Sequence, residues 1–202
     1  FAFRGPLGLV WQRVYRSSNR HNRGLGVGWT HPASVGLRLT PTEATYIDEE
    51  GRYIGFERPG VGESHFNRVE QMRLSCPATG QYILEENAQP ARHFSAGSSD
   101  TLALQALVDR HGNRLDFHYD TAPAQEGDVQ TSGLSHSFSH NDPHQAPRLS
   151  RIQSSWGPAL TFQWDRLGIT QIDQVSSAGD HPTQGHQSRT LVQYRYDKQG
   201  NL

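Results

Sequence analysis

The chain has 202 residues, enough for one or two ordinary domains with a real core. Its 19 basic and 20 acidic residues leave a net charge of −1, which removes the overall field a nucleic-acid or anionic-membrane partner would exploit. The single cysteine, Cys76, excludes an intrachain disulfide framework and a cysteine-based zinc finger, and no window approaches the ~18 consecutive apolar residues of a membrane-spanning helix.

Phe1-Ala-Phe-Arg-Gly-Pro6 reads neither as a signal peptide nor as a natural start, so a piece of a longer protein is expected. Short windows alternate apolar and polar residues, as at Leu102, Leu104 and Ala106 or Leu115, Phe117 and Tyr119, each bounded by Gly, Pro, Asn or Asp. Strands are predicted over 9–17, 33–40, 43–48, 52–58, 65–76, 81–86, 91–95, 102–109, 114–120, 149–156, 159–165, 169–176 and 190–197. Gly51, Gly80 and Gly112-Asn113 supply the positive φ of hairpin turns between them. No long helix is predicted; the mixed periodicity of 65–76 makes it the most helix-like window. Two polar stretches, 121–147 and 176–188, break the alternation and are expected to be exposed loop insertions. Charge is uneven as well. Residues 1–38 carry Arg4, Arg13, Arg16, Arg20, Arg23 and Arg38 with no acid, whereas 43–57 carry Glu43, Asp48, Glu49, Glu50 and Glu57 against Arg52, so the two stretches are candidates to pair in space.

A unit recurs: Gly112-Asn-Arg-Leu-Asp-Phe-His-Tyr-Asp120, Gly157-Pro-Ala-Leu-Thr-Phe-Gln-Trp-Asp165 and Arg189-Thr-Leu-Val-Gln-Tyr-Arg-Tyr-Asp197 are alternating strands that each end in aromatic-Asp. Such a strand buries its aromatic against a neighbouring layer, and the following carboxylate can cap the turn by accepting backbone N–H bonds. Tyr119, Trp164 and Tyr196 are therefore the expected sheet-packing aromatics, and Asp120, Asp165 and Asp197 the expected turn caps. Repetition of this kind extends one continuous sheet.

On these residues the chain resembles the YD-repeat, or Rhs (rearrangement hot spot), family. Tyr196-Asp-Lys-Gln-Gly-Asn-Leu202 follows that family's Tyr-Asp-x-x-Gly-Asn/Arg-Leu consensus, and Arg110-His-Gly-Asn-Arg-Leu-Asp-Phe-His-Tyr-Asp120 its Arg-x-Gly-Asn-x-Leu-x-Phe-x-Tyr-Asp form. The middle unit departs from it, with Trp164 for Tyr. Val14-Tyr-Arg-Ser-Ser18, Gly24-Leu-Gly-Val-Gly-Trp29 and Tyr46-Ile-Asp-Glu-Glu-Gly-Arg52 are similar to the region preceding the repeats in bacterial Rhs effectors. The resemblance implies an all-β chain, 1–100 as a pre-repeat β region and 101–202 as YD repeats, whose antiparallel sheet is part of a hollow cocoon. It implies enclosure of a C-terminal toxin of the same polypeptide, made in the cytoplasm and delivered to neighbouring bacteria by type VI secretion. Its implied partners are the remaining shell, that toxin, and secretion-spike or chaperone proteins. An alternative is a β-rich binding module for a secretion-apparatus protein or a surface carbohydrate.

Catalytic readings fare less well against the residues. His136-Ser-Phe-Ser-His140 with Asp142 and His144 has the spacing of a zinc site on a helix, but Ser, Asn, Asp and Pro around it favour a loop. Gly24-Leu-Gly-Val-Gly28 lacks the helix that a phosphate loop requires after it, and is expected to be a tight turn seating Trp29 in the core. The arginine run 13–23 with Trp11 and Tyr15 could stack single-stranded nucleic acid; internal pairing with the acidic stretch is favoured instead. No Gly-x-Ser-x-Gly elbow is present, Cys76 before Pro77 reads as an inert thiol, Asp142-Pro143 as a loop turn, and Asp48 and Glu50 as solvated turn residues. A non-catalytic segment without cofactor or metal, binding no nucleic acid, is therefore the expectation.

Overall fold

The computed structural model describes residues 1–20, 22–95, 101–120, 148–176, 188–198 and 202. The inserted stretches 121–147 and 176–188, apart from Ser176 and Ser188, lie outside them, as do the histidines at 136, 140 and 144 and residues 199–201 of the closing Tyr-Asp unit. The chain is all-β and antiparallel. Near the start, β1 (Ala2–Phe3) pairs with β2 (Leu9–Val10), and β3 (Val14–Tyr15) with β4 (Trp29–Thr30). A 3-10 turn, Pro32–Ser34, leads into β5 (Gly36–Leu39), β6 (Glu43–Ile47), β7 (Tyr53–Glu57), β8 (Ser64–Asn67), β9 (Met72–Ala78), β10 (Gln81–Glu86), β11 (Ala91–Ser95) and β12 (Thr101–Val108). There follow β13 (Arg114–Asp120), β14 (Arg148–Ser154), β15 (Ala159–Trp164), β16 (Ile169–Val175) and β17 (Ser188–Gln193).

From β8 to β17 each strand pairs with the next, an antiparallel meander in chain order. The sheet forks at β12, whose first half (Thr101–Ala103) pairs with β5 and whose second half (Ala106–Val108) pairs with β13. Below the fork, β5–β6–β7 and β8–β12 curl toward one another into a nearly closed barrel. At its seam β7 lies beside β8, and a side chain bridges where a ladder would run: Asn67 Nδ2 donates to the Gly55 carbonyl at 3.2 Å. Alternation places Ala44 and Tyr46, Ile54 and Phe56, Met72, Leu74 and Cys76, Tyr82 and Leu84, and Leu102 and Leu104 on the buried side of successive strands. Tyr46 and Phe94 meet edge-on there, with ring centroids 6.2 Å apart. Beyond the fork, β13–β17 continue as an open sheet carrying Leu115, Phe117, Ile152, Leu160, Phe162, Ile169 and Ile172 into the same hydrophobic core.

Three expectations change. The window 65–76 is two strands of a hairpin, reversed at a tight turn where Gln71 takes φ +55°, and its mixed periodicity is the sum of two alternations out of phase. The strand over 9–17 is two short ones, β2 and β3, because Trp11 leaves the ladder to enter the core. Asp48 is buried rather than solvated; its Oδ1 accepts from the amides of Glu50 (2.9 Å) and Arg52 (2.8 Å), and its Oδ2 from Arg52 Nε. Of the basic run, Arg16 pairs with Glu50, while Arg13 lies over the rings of Trp29 (5.0 Å) and Tyr194 (5.6 Å). The glycine run is the expected turn: Gly24, Gly26 and Gly28 all have positive φ, and Asn22 Oδ1 takes the amides of Gly24 (2.9 Å) and Gly26 (3.1 Å). Trp29 is half-buried at its end.

Candidate functional site

The open sheet β13–β17 has two unlike faces. Its apolar face lies under residues 1–35, which form a cover. Trp11 packs against Phe162 at 5.1 Å and donates from Nε1 to the Tyr194 hydroxyl at 3.0 Å. Phe3 meets Trp156 at 6.1 Å, and Gly5 sits so close to that indole that a Cβ would stand 2.3 Å from it. Backbones touch at Gly24, whose carbonyl accepts from Ile169 N at 2.7 Å, and where a Cβ would stand 2.4 Å from the Trp164 ring. Gly168 opposes it; a Cβ there would lie 2.5 Å from the Gly24 oxygen. These two positions tolerate only hydrogen because cover and sheet approach within backbone contact.

The other face carries a polar ladder. Asp116 lies across from Gln153, His118 from Arg151, Arg151 from Thr161, Thr161 from Asp173 and Asp173 from Thr190. Asp173 is buried on this face, 6% exposed, and accepts from Gln163 Nε2 (3.0 Å), Gln171 Nε2 (2.8 Å) and Thr190 Oγ1 (2.7 Å). Burial pushes its carboxyl up, but the three hydrogen bonds outweigh this and hold it below the usual carboxylate range. Gln193 Nε2 extends the chain of bonds to Gln171 Oε1 at 2.7 Å.

The three repeat aromatics all use a polar tip that their packing role did not call for. Tyr119 OH donates to the Leu104 carbonyl (2.9 Å), Trp164 Nε1 to Leu149 O (2.8 Å) and Tyr196 OH to Ile169 O (2.7 Å). Tyr119 and Trp164 each tie their strand to a backbone oxygen of the strand before it, whereas Tyr196, expected on a strand over 190–197, lies beyond the end of β17 and reaches back to β16. All three rings are half-buried; desolvation raises the phenols of Tyr119 and Tyr196, so both remain protonated donors at neutral pH.

The aspartates divide. Asp165 Oδ1 accepts from the amides of Leu167 (2.7 Å) and Gly168 (3.0 Å) across the β15–β16 turn. Asp120 ends β13, exposed and opposite Arg148, and residues 121 onward lie outside the described ones. Asp197 is exposed and follows Tyr196. Sequence reading missed Asp109. Its Oδ1 takes the amides of His111 (2.8 Å) and Asn113 (2.9 Å), while its own N donates to Asn113 O at 3.0 Å. Asp48 builds the same turn over Glu50 and Arg52, and Gly51 and Gly112 hold the same place with φ +78° and +81°. The available signal was Asp-x-x-Gly-Arg/Asn, which stands at 48–52, 109–113 and 197–201. Alanine at Asp109 or Asp165 is expected to cost about 1 kcal/mol each, measured by urea denaturation; no change at either would remove the turn staple from the account.

Among the described residues no group of three or more His, Cys, Asp and Glu gathers as metal ligands would, and Cys76 is buried in the barrel core. No helix among them is long and apolar enough to cross a membrane.

Comparison with known proteins matches residues 1–56 to a family described as a domain of unknown function, DUF6531. Over 201 residues, 97% of this chain, the sequence is 24% identical to the probable deoxyribonucleases RhsB and RhsA of Dickeya dadantii (strain 3937). The chain spans 12% of the length of each of these relatives.

Proposed function

Because this chain belongs to the Rhs family, we propose that it is a non-catalytic stretch of β-sheet shell enclosing a toxin carried elsewhere in the same polypeptide. The observation that carries this reading is a meander growing strand by strand, with its repeat aromatics hydrogen-bonded to the preceding strand, that ends at β17. One edge of β17 pairs with β16, and the other has no partner among the described strands. Beside that strand a cleft of about 300 Å³ runs between Phe1, Trp11, Gln12 and Arg13 and residues 191–194. A further strand of the same alternating kind would extend the sheet there and seat side chains in the cleft. The deoxyribonuclease activity in the relatives' names then belongs to a part of such proteins beyond the matched stretch. Export as a type VI effector, helped by secretion-spike or chaperone proteins, completes the reading.

The test is co-expression of this segment with the downstream part of its reading frame, followed by size exclusion and mass spectrometry. Co-elution with further repeat chain and an enclosed, protease-resistant fragment is the expected result; a free monomer that ignores the rest overturns it. One observation favours the alternative of a binding module. Tyr53 and Phe66 are exposed on β7 and β8, on either side of the barrel seam. A saturable pull-down of a secretion-apparatus protein, lost in the Tyr53→Ala/Phe66→Ala double variant, would select that reading.

A further inference from the structure

We propose that His31 is an acid-sensitive latch holding the cover, residues 1–35, onto the repeat sheet, so that protonation of its ring loosens the cover and frees the apolar face beneath. The inference stands on the cover's own geometry and does not depend on the shell reading.

His31 ties parts of the cover together and reaches the repeat sheet through Trp11, which packs on Phe162. It is 4% exposed, precedes the Pro32–Ser34 turn and stacks on Trp11 with centroids 4.7 Å apart. Both ring nitrogens are committed. The Arg23 carbonyl, 2.8 Å from Nε2, can only accept, so Nε2 carries the hydrogen. The Ala33 amide, 3.3 Å from Nδ1, can only donate, so Nδ1 must present its lone pair. The ring is thereby fixed as the neutral Nε2–H tautomer. Ser34 Oγ accepts from His31 N at 2.9 Å and completes a reciprocal cap.

A proton taken from solvent onto Nδ1 sets N–H against N–H, breaks the cap, and places a second cation beside Arg23 in a desolvated site. Burial lowers the ring from its ordinary value to about 4, with the Arg23 charge acting the same way and the bond to the Arg23 carbonyl opposing both. Among the described residues the neighbouring charges are few. Arg23 shares a small cleft with Asn19, Thr30, Ser34, Asp48 and Tyr53. Glu49 lies behind Thr30, whose hydroxyl donates to the Glu49 carbonyl at 2.6 Å. From the sheet side, Phe162 and Tyr194 meet Trp11 rather than the ring, and Arg13 lies over Tyr194. Glu49 is raised by burial, so its contribution grows as pH falls and opposes the latch. His93, lowered chiefly by burial, titrates in the same direction as His31 but sits on β11 in the barrel.

The sign follows. A depressed histidine contributes stability that is complete above pH 6.5 and is lost as pH falls toward 4. The opening constant of the cover, read by hydrogen exchange of the whole chain and corrected for intrinsic exchange, is expected to rise about tenfold per pH unit across that window and roughly 300-fold in all. The strands β9 and β10 should not follow. His31→Phe keeps the stack on Trp11 without a titrating group and should flatten the response. An opening constant independent of pH, or a rise shared equally by the barrel, overturns the latch. Should His31→Phe fail to fold, the wild-type ring decides: ¹⁵N shifts showing Nε2–H at neutral pH and titration far below 6.5 support the proposal, and an Nδ1–H tautomer or ordinary titration overturns it.

Discussion

Trp164→Ala is expected to lower the unfolding free energy by about 3 kcal/mol, the low end for loss of a large aromatic because the ring is half-buried. Three interactions go together. The ring no longer fills the space above Gly24, the Leu149 carbonyl loses its donor, and the Arg148 guanidinium loses the face it lies over at 5.6 Å. Chemical denaturation followed by circular dichroism measures the loss. A change below about 1 kcal/mol would mean that cover and sheet are not joined through this ring.

Gly24→Ala acts on the same contact from the opposite side. The backbone there has φ +101°, which costs an L-residue about 1–3 kcal/mol. The new methyl group also meets the indole at 2.4 Å, which adds about 1–3 kcal/mol of overpacking. The two causes separate in a double-mutant cycle. With Trp164 already alanine the overpacking vanishes and only the backbone strain remains, so the pair should cost less than the sum of the singles by about 1–3 kcal/mol. Strict additivity would show that the methyl group never met the ring.

Strands in the barrel and the repeats were legible because each is a short alternation closed by a turn residue; 91–95 and 114–120 coincide with β11 and β13 to the residue. The same rule failed at 9–17, where a core tryptophan interrupts the ladder, and ran two strands together at 65–76, where the turn contains no glycine. Aromatic-Asp endings drew attention to Asp120, Asp165 and Asp197; the turns at Gly51 and Gly112 were legible from their glycines, but the capping role of Asp48 and Asp109 was not, because neither aspartate directly follows an aromatic. The polar tips of Tyr119, Trp164 and Tyr196 were illegible for another reason. Their acceptors are backbone carbonyls, which sequence does not distinguish from position to position. Least legible was the cover. Nothing local in Gly24-Leu-Gly-Val-Gly28 announces that its partner is Gly168, since that depends on strands that exist only once the sheet has formed.

That last dependence sets an order of events during synthesis. The Gly24 carbonyl and the Tyr196 hydroxyl meet across 172 positions, whereas Asp109 and Asn113 close a hairpin across 4. Loop-closure entropy for the former exceeds that for the latter by about 3 kcal/mol. Within this stretch the residues made earliest are thus the last to find their seat, and the barrel that follows them can form while residues 1–35 wait with Trp11 and Phe3 in water. A nascent chain arrested before β15 has its cover but not the seat for it, because Phe162, the ring that Trp11 packs against, has yet to be made.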